Sequence, residues 1–209
     1  MDEQSTREQI CTIGRNLWLQ RLVTANDGNV SVRLDETRVL CTPTGVSKGA
    51  MTPEMLTLVD LDGTRLDDKP VRPSSEVLMH LEVYRQDPNV GAVVHAHPMF
   101  ATMWAVCGEG FEARMLPETI VSMAEVPLAP YATPSTPGVP ESVRPFVRDH
   151  RACLLENHGA LTWGTDVTSA YLLMERLEFT AELNWRLRQA GAGNNLPDGE
   201  VNKLIQLFS

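Results

Sequence analysis

The sequence predicts one domain of the α/β or α+β class, a sheet covered by helices. Three observations lead there. Segments with apolar residues at helical spacing and short apolar runs of strand type are mixed along the whole chain. The 209 residues suffice for one large core, whereas two full domains would be cramped, so a single unit over residues 1–209 is expected. No internal repeat, low-complexity tract or Gly/Ser linker divides the chain.

The elements follow in order. Residues 4–23 place Ile10, Ile13, Leu17 and Leu22 at helical spacing and end at the polar turn Asn26-Asp27-Gly28-Asn29. Residues 30–34 and 39–42 are expected as short strands, followed by the turn Thr42-Pro43-Thr44-Gly45 and a strand over 56–61. Ser74 is the expected N-cap of a helix whose stripe is Val77, Leu78 and Leu81. Pro88-Asn89 stops it, and residues 90–96 form an apolar strand. Pro98 opens a helix over 100–106, and a strand is expected over 125–128. Residues 139–150 are helical apart from Pro145. Strands over 152–155 and 160–163 flank the tight turn Asn157-His158-Gly159. Asp166 caps a long helix over 167–190, and a polar loop over 191–199 leads to a short last helix.

Charge narrows the function. With 18 basic against 27 acidic residues the net charge is -9, which disfavours nucleic acid and anionic membrane surfaces. An anionic substrate then needs a local device to hold it, a metal or a nest of backbone N–H groups. No apolar run approaches the roughly 18 residues of a membrane-spanning helix. The acidic start Met1-Asp2-Glu3-Gln4 is unlike a signal peptide, so a cytoplasmic location is expected. Cys11, Cys41, Cys107 and Cys153 form no C-x-x-C pair and are expected to be buried, reduced thiols.

The most informative segment is His95-Ala96-His97. On a strand these imidazoles point to one face roughly 6.5–7 Å apart, a spacing from which both reach one metal ion. Histidine is scarce, five in all, and His158 sits in a tight turn after an apolar run. Three imidazoles with an open fourth position match a catalytic zinc site, although His158 also suits a turn that satisfies its own backbone. His80, four residues after Glu76, is expected as a buried helical histidine, and His150 as a residue near a helix end. Glu76 is the candidate acid/base; a carboxylate there also stabilises a helix N-terminus. Ser74 and Ser75 offer two hydroxyls and two N–H groups, an anion site beside that carboxylate. The turns at residues 26–31 and 44–46 have similar small donors, which ordinary turn chemistry also explains. There is no P-loop, G-x-G-x-x-G or G-x-S-x-G. Lys48, Lys69 and Lys203 have polar or turn neighbours, which argues against a desolvated Schiff-base lysine.

Taken together, Gly28-Asn29-Val30-Ser31, Thr42-Pro43-Thr44-Gly45, Ser74-Ser75-Glu76, His95-Ala96-His97 and Asn157-His158-Gly159 resemble, in order, the class II aldolase/adducin family. Ala129-Pro130-Tyr131-Ala132-Thr133 adds to the likeness, which spans residues 4–188. The resemblance implies a central, largely antiparallel sheet between helical layers. It implies a divalent metal, zinc by preference and otherwise manganese, cobalt or iron, on His95, His97 and His158. Glu76 would be a fourth ligand and, once substrate displaces it, the base. Asn26, Asn29, Thr44, Gly45, Ser74 and Ser75 would hold a substrate phosphate. The implied activity is metal-dependent cleavage of a deoxy- or modified ketose 1-phosphate to dihydroxyacetone phosphate and an aldehyde. A dehydratase, 4-epimerase or decarboxylase is the alternative, and a non-catalytic interaction domain the remote one. A homotetramer with active sites at subunit interfaces is also implied. The sequence departs where the family's fuculose-phosphate aldolases carry proton-donating tyrosines. Residues 114–118 contain none, and neither does the stretch ending at Ser209. Glu118 is the candidate second acid/base in that place, and Tyr131 is expected to be structural.

Overall fold

The structure is a computed structural model that describes residues 2–208. Asp2 caps α1 (Glu3–Leu19) by accepting from the Ser5 N–H, and Ile10, Ile13 and Leu17 line its buried face. The expected helix to residue 23 ends earlier: Gln20 caps it and Arg21 adopts a left-handed φ of 60°. Leu22 and Val23 are still buried, which is why they read as part of the helical stripe.

Strands β1 (Asn29–Arg33), β2 (Arg38–Cys41) and β3 (Thr57–Asp60) form an antiparallel meander. Helix α2 (Val77–Gln86) precedes β4 (Ala92–Ala96), and α3 (Met99–Val106) follows it after Pro98. A small ribbon pairs β5 (Phe111–Glu112) with β6 (Glu125–Val126) around α4 (Pro117–Met123). The single strand expected over 125–128 is thus two. Pro127, which has no N–H to donate, separates β6 from β7 (Leu128–Ala129), and β7 joins the main sheet. Helix α5 (Gly138–Val143) passes into a 3-10 turn at Pro145. Strands β8 (Ala152–Leu155) and β9 (Gly159–Gly164) form a hairpin. Asp166 and Ser169 make a reciprocal capping box for α6 (Val167–Ala190), and Gly191 closes it in the left-handed region. Helix α7 (Asp198–Phe208) comes last.

Among the described residues the main sheet has seven strands in the order β3-β2-β1-β4-β9-β8-β7. Every neighbouring pair is antiparallel except β7 and β8. Strand alternation divides the core. Val30, Val94, Ala96 and Leu154 pack with residues of α1, α3 and α6 on one face. Val93, Leu155, Leu161 and Trp163 pack with α2 and α5 on the other. The mixed fold with helices on both faces is therefore as expected. Of the cysteines, Cys41 and Cys153 are buried, but Cys11 is half-buried and Cys107 exposed, because Cys107 caps the outer end of α3. No described helix is long and apolar enough to cross a membrane.

Candidate metal centre and active site

Register builds the site. Asn29 lies opposite His95 across β1 and β4, and Leu161 lies opposite it on β9. The alternation that sends Val94 and Ala96 to the α6 face sends His95 to the α2 face. His95 is fully buried, and its Nδ1 donates to the Ala160 carbonyl at 2.9 Å. That bond fixes the tautomer and leaves the Nε2 lone pair directed at its neighbours. His97 follows the strand and is anchored by its own N–H to the Leu22 carbonyl at 3.0 Å. Its Nε2 is 3.0 Å from His95 Nε2.

His158 comes from the β8–β9 turn, where Asn157 takes a φ of 56°. The close approach at this turn requires glycine next. A Cβ at Gly159 would stand 2.5 Å from the Ala96 carbonyl oxygen and 2.6 Å from His97 Cδ2. The three rings are 4.7, 4.8 and 5.0 Å apart between centroids. One ligand atom from each lies within 4.8 Å of the others.

Glu76 closes the group. The structure corrects the expected cap: Glu76, not Ser74, is the N-cap of α2, and its N–H donates to Ser74 Oγ at 3.3 Å. Glu76 Oε1 accepts from His158 Nε2 at 3.1 Å, and Oε2 accepts from Asn29 Nδ2 at 2.8 Å and lies 3.6 Å from His95 Nε2. Burial alone would raise this carboxyl. The His158 bond, the neighbouring imidazoles and the Asn29 amide together outweigh burial and hold it well below the usual carboxylate range. Burial pushes His95 well below an ordinary histidine, so it stands neutral, the form that ligates metal. Three converging imidazole nitrogens and one ionised carboxylate fit a borderline divalent cation such as zinc.

A cleft of about 220 Å³ opens beside the imidazoles, and Asn26, Asn29, Thr44, Gly45, Ser74 and Ser75 all line it. Pro43 and Pro73 pair as an isolated bridge, which sets the Thr44–Gly45 turn next to Ser74–Ser75. The backbone donors are fewer than expected. The Ser74 N–H is spent on the Thr42 carbonyl and the Thr44 N–H on the Arg72 carbonyl. Gly45 has a φ of 74°, and a Cβ there would meet nothing within 4 Å, so its open side faces free space.

Glu118 lies elsewhere. It is exposed in the first turn of α4 and does not line the cleft of its own chain. None of the three tyrosines lines it either. Tyr131 is exposed, Tyr84 is buried on Ser31, and Tyr171 is bonded to Gln20 and Glu175. Sequence reasoning missed Asp27 and Lys48. Asp27 Oδ2 lies 3.7 Å from His97 Nδ1. Lys48, expected in a polar turn, is only 1 % exposed and lines the cleft. Burial pushes its pKa down to about 8, against the pull of Asp27 and Glu76. Its turn-like sequence neighbours gave no sign of this, because α1 packs over the 3-10 turn Lys48–Ala50. A larger groove, about 720 Å³, runs past Val90, Trp163 and Gly164, at the opposite end of β4 and β9, and includes none of the site residues.

This fold and site define a known class, and the family model described as Class II Aldolase and Adducin N-terminal domain matches residues 8–185: the chain belongs to that family. The 3-oxo-tetronate 4-phosphate decarboxylase of Escherichia coli O6:H1 is 36% identical over 186 residues, covering 87% of this chain and 86% of the relative. The L-fuculose phosphate aldolase of Methanococcus maripaludis is 34% identical over 173 residues, covering 83% and 92%. The crystal structure of YgbL from Klebsiella pneumoniae superposes with a TM-score of 0.91 at 30% identity, covering 98% of this chain and 99% of that one. The chain is thus a member of an enzyme family on the aldolase scaffold, and its relatives include both decarboxylases and aldolases.

Proposed function

We propose that the protein is a metal-dependent carbon–carbon lyase that decarboxylates a 3-oxo sugar acid 4-phosphate. The observation that carries this reading is the juxtaposition of His95, His97, His158 and Glu76 with a cleft of about 220 Å³ that no tyrosine of the same chain lines. Aldol cleavage releases an aldehyde whose oxygen must be protonated as it leaves. Carbon dioxide leaves without a proton, so no acid of the same chain is needed beside the leaving group. For 3-oxo-tetronate 4-phosphate, the compound named in the relatives, the C1–C2 bond breaks and C1 leaves as carbon dioxide. The bonding pair moves onto the C3 carbonyl oxygen as an enolate, and a proton then returns to C2. The product is dihydroxyacetone phosphate.

His95, His97, His158 and Glu76 would hold the ion, which neutralises charge developing on the enolate oxygens. Asn26, Asn29, Thr44, Gly45, Ser74 and Ser75 hold the phosphate and so fix C3 beside the imidazoles. Glu76 is ionised at rest; it would take up a proton from solvent and pass it to C2. Asn29 orients that carboxylate through its 2.8 Å bond.

The reading includes zinc as the ion, a cytoplasmic location, and a homotetramer with clefts at subunit boundaries. Exposed Leu172 and Phe179 on α6, with Trp18 and Leu19 at the end of α1, support self-association. Glu118, outside the cleft of its own chain, serves as second acid/base only in a neighbouring subunit's cleft. A mass of four chains in light scattering is the expected result. Aldol cleavage is the second reading, favoured by the 34% identity to an L-fuculose phosphate aldolase. Incubation with a 3-oxo acid 4-phosphate and a panel of ketose 1-phosphates separates the two. Carbon dioxide with dihydroxyacetone phosphate supports the first, and aldehyde release replaces it with the second.

A further inference from the structure

The phosphate cleft carries a charge problem that the donors assigned to it do not solve. Those donors are neutral, while Asp27 and Glu76 also line the cleft. A phosphate dianion entering there meets two carboxylates, of which an ion on the imidazoles would offset Glu76 and leave Asp27 unbalanced. Lys48 is the one lysine or arginine among the lining residues. Its Nζ donates to the Asn26 carbonyl at 3.0 Å and to the Val46 carbonyl at 2.8 Å. These carbonyls belong to the two turns that carry Asn26–Asn29 and Thr44–Gly45. An ammonium has three donors, and the two carbonyls take two. Both acceptors that the Lys48 Nζ reaches are neutral carbonyls, so its charge is buried on neutral acceptors beside an opening. A buried cation in that state is costly until an anion approaches it.

We propose that Lys48 is a positioning and specificity residue of the phosphate subsite: its ammonium ties the two donor turns together and supplies the positive charge that admits a phosphate dianion past Asp27 and Glu76. The inference rests on the assignment of this cleft to phosphate in the proposed function. At neutral pH the group remains mostly charged, even with burial pulling it down to about 8. A purely mechanical strap would also hold the turns, but it would not depend on the charge of the side chain.

The probe is inorganic phosphate, titrated by calorimetry into the full-length, zinc-loaded protein and its variants. Lys48→Met keeps the stem and removes the charge. Lys48→Gln keeps a donor for the carbonyls without the charge, and Lys48→Arg keeps the charge. Met and Gln are expected to weaken phosphate binding alike, by about tenfold or more, the scale of one charge-assisted hydrogen bond, while Arg recovers part of the loss. Recovery by Gln, or wild-type affinity in Met, would overturn the proposal. With substrate, Met is expected to raise KM for the phosphorylated compound while sparing the unphosphorylated one. A strap alone would impair both equally. A readout that needs no variant is the 15Nζ signal of Lys48 in lysine-labelled wild type. It is expected to move on phosphate addition, and an unmoved signal contradicts the proposal. Phosphate binding that depends on Lys48, without turnover of any 3-oxo acid, would sink the decarboxylase reading and leave this inference standing.

Discussion

His95 and His80 are both buried on the α2 face of the same sheet, and their fates differ. His95 spends Nδ1 on a carbonyl and turns Nε2 toward His97 and Glu76. His80 spends Nδ1 on Ser31 Oγ at 2.8 Å, a hydroxyl that Tyr84 also contacts at 2.8 Å, and its Nε2 has no partner. One imidazole converges with others beside an open cleft. The other is sealed in a small polar network behind it. Burial is common to both, so convergence of ring nitrogens, not burial, separates a candidate metal ligand from a core histidine.

The largest effect expected to sharpen this contrast is His95→Ala. It should lose the bound metal and about a thousandfold or more in kcat, since a catalytic ion is worth several kcal/mol of transition-state stabilisation. Metal analysis and steady-state rates check it. Glu76→Gln comes next, keeping most of the metal on three imidazoles while kcat falls about a hundredfold or more, the scale of a lost general acid/base. Equal loss of metal in both variants would make Glu76 a ligand only.

His80 predicts a stability effect instead. Burial lowers its pKa in the fold to about 4, from an ordinary 6.5. Above 6.5 both folded and unfolded chains hold it neutral and its contribution is fully present. As pH falls from 6.5 to 4 the unfolded chain takes up a proton that the fold refuses, and up to about 3 kcal/mol is lost, with no further loss from this group below 4. Denaturant melts across that window should be steeper in pH for wild type than for His80→Gln. The smallest effect is that of Gly159→Ala. Its Cβ would stand 2.5 Å from the Ala96 carbonyl oxygen, so a cost of about 1–3 kcal/mol and weaker metal binding are expected from melting and metal titration.

Much of this was legible because the signals are local. The long helix α6 announces itself through Asp166 and Gly191, and the His-x-His pair needs only strand periodicity to share a face. The order of the donor turns carried the rest of the site. What was not legible depends on contacts distant in sequence. Residues 20–23 continue the helical pattern because Leu22 and Val23 reach the core from a loop. Pro127 splits a run that composition alone reads as one strand. Ser74 has the chemistry of a cap, but its Oγ accepts from the Glu76 N–H within a turn, and the helix begins only at Val77, with Glu76 as its N-cap. Lys48 looks like a surface residue in a turn until α1 covers it.

The most direct test combines metal content with product analysis on the purified wild-type protein given 3-oxo-tetronate 4-phosphate. The convergent site predicts one divalent ion per chain, and carbon dioxide and dihydroxyacetone phosphate in equal amounts, abolished by chelation and restored by zinc. Full turnover by protein stripped of metal would contradict it.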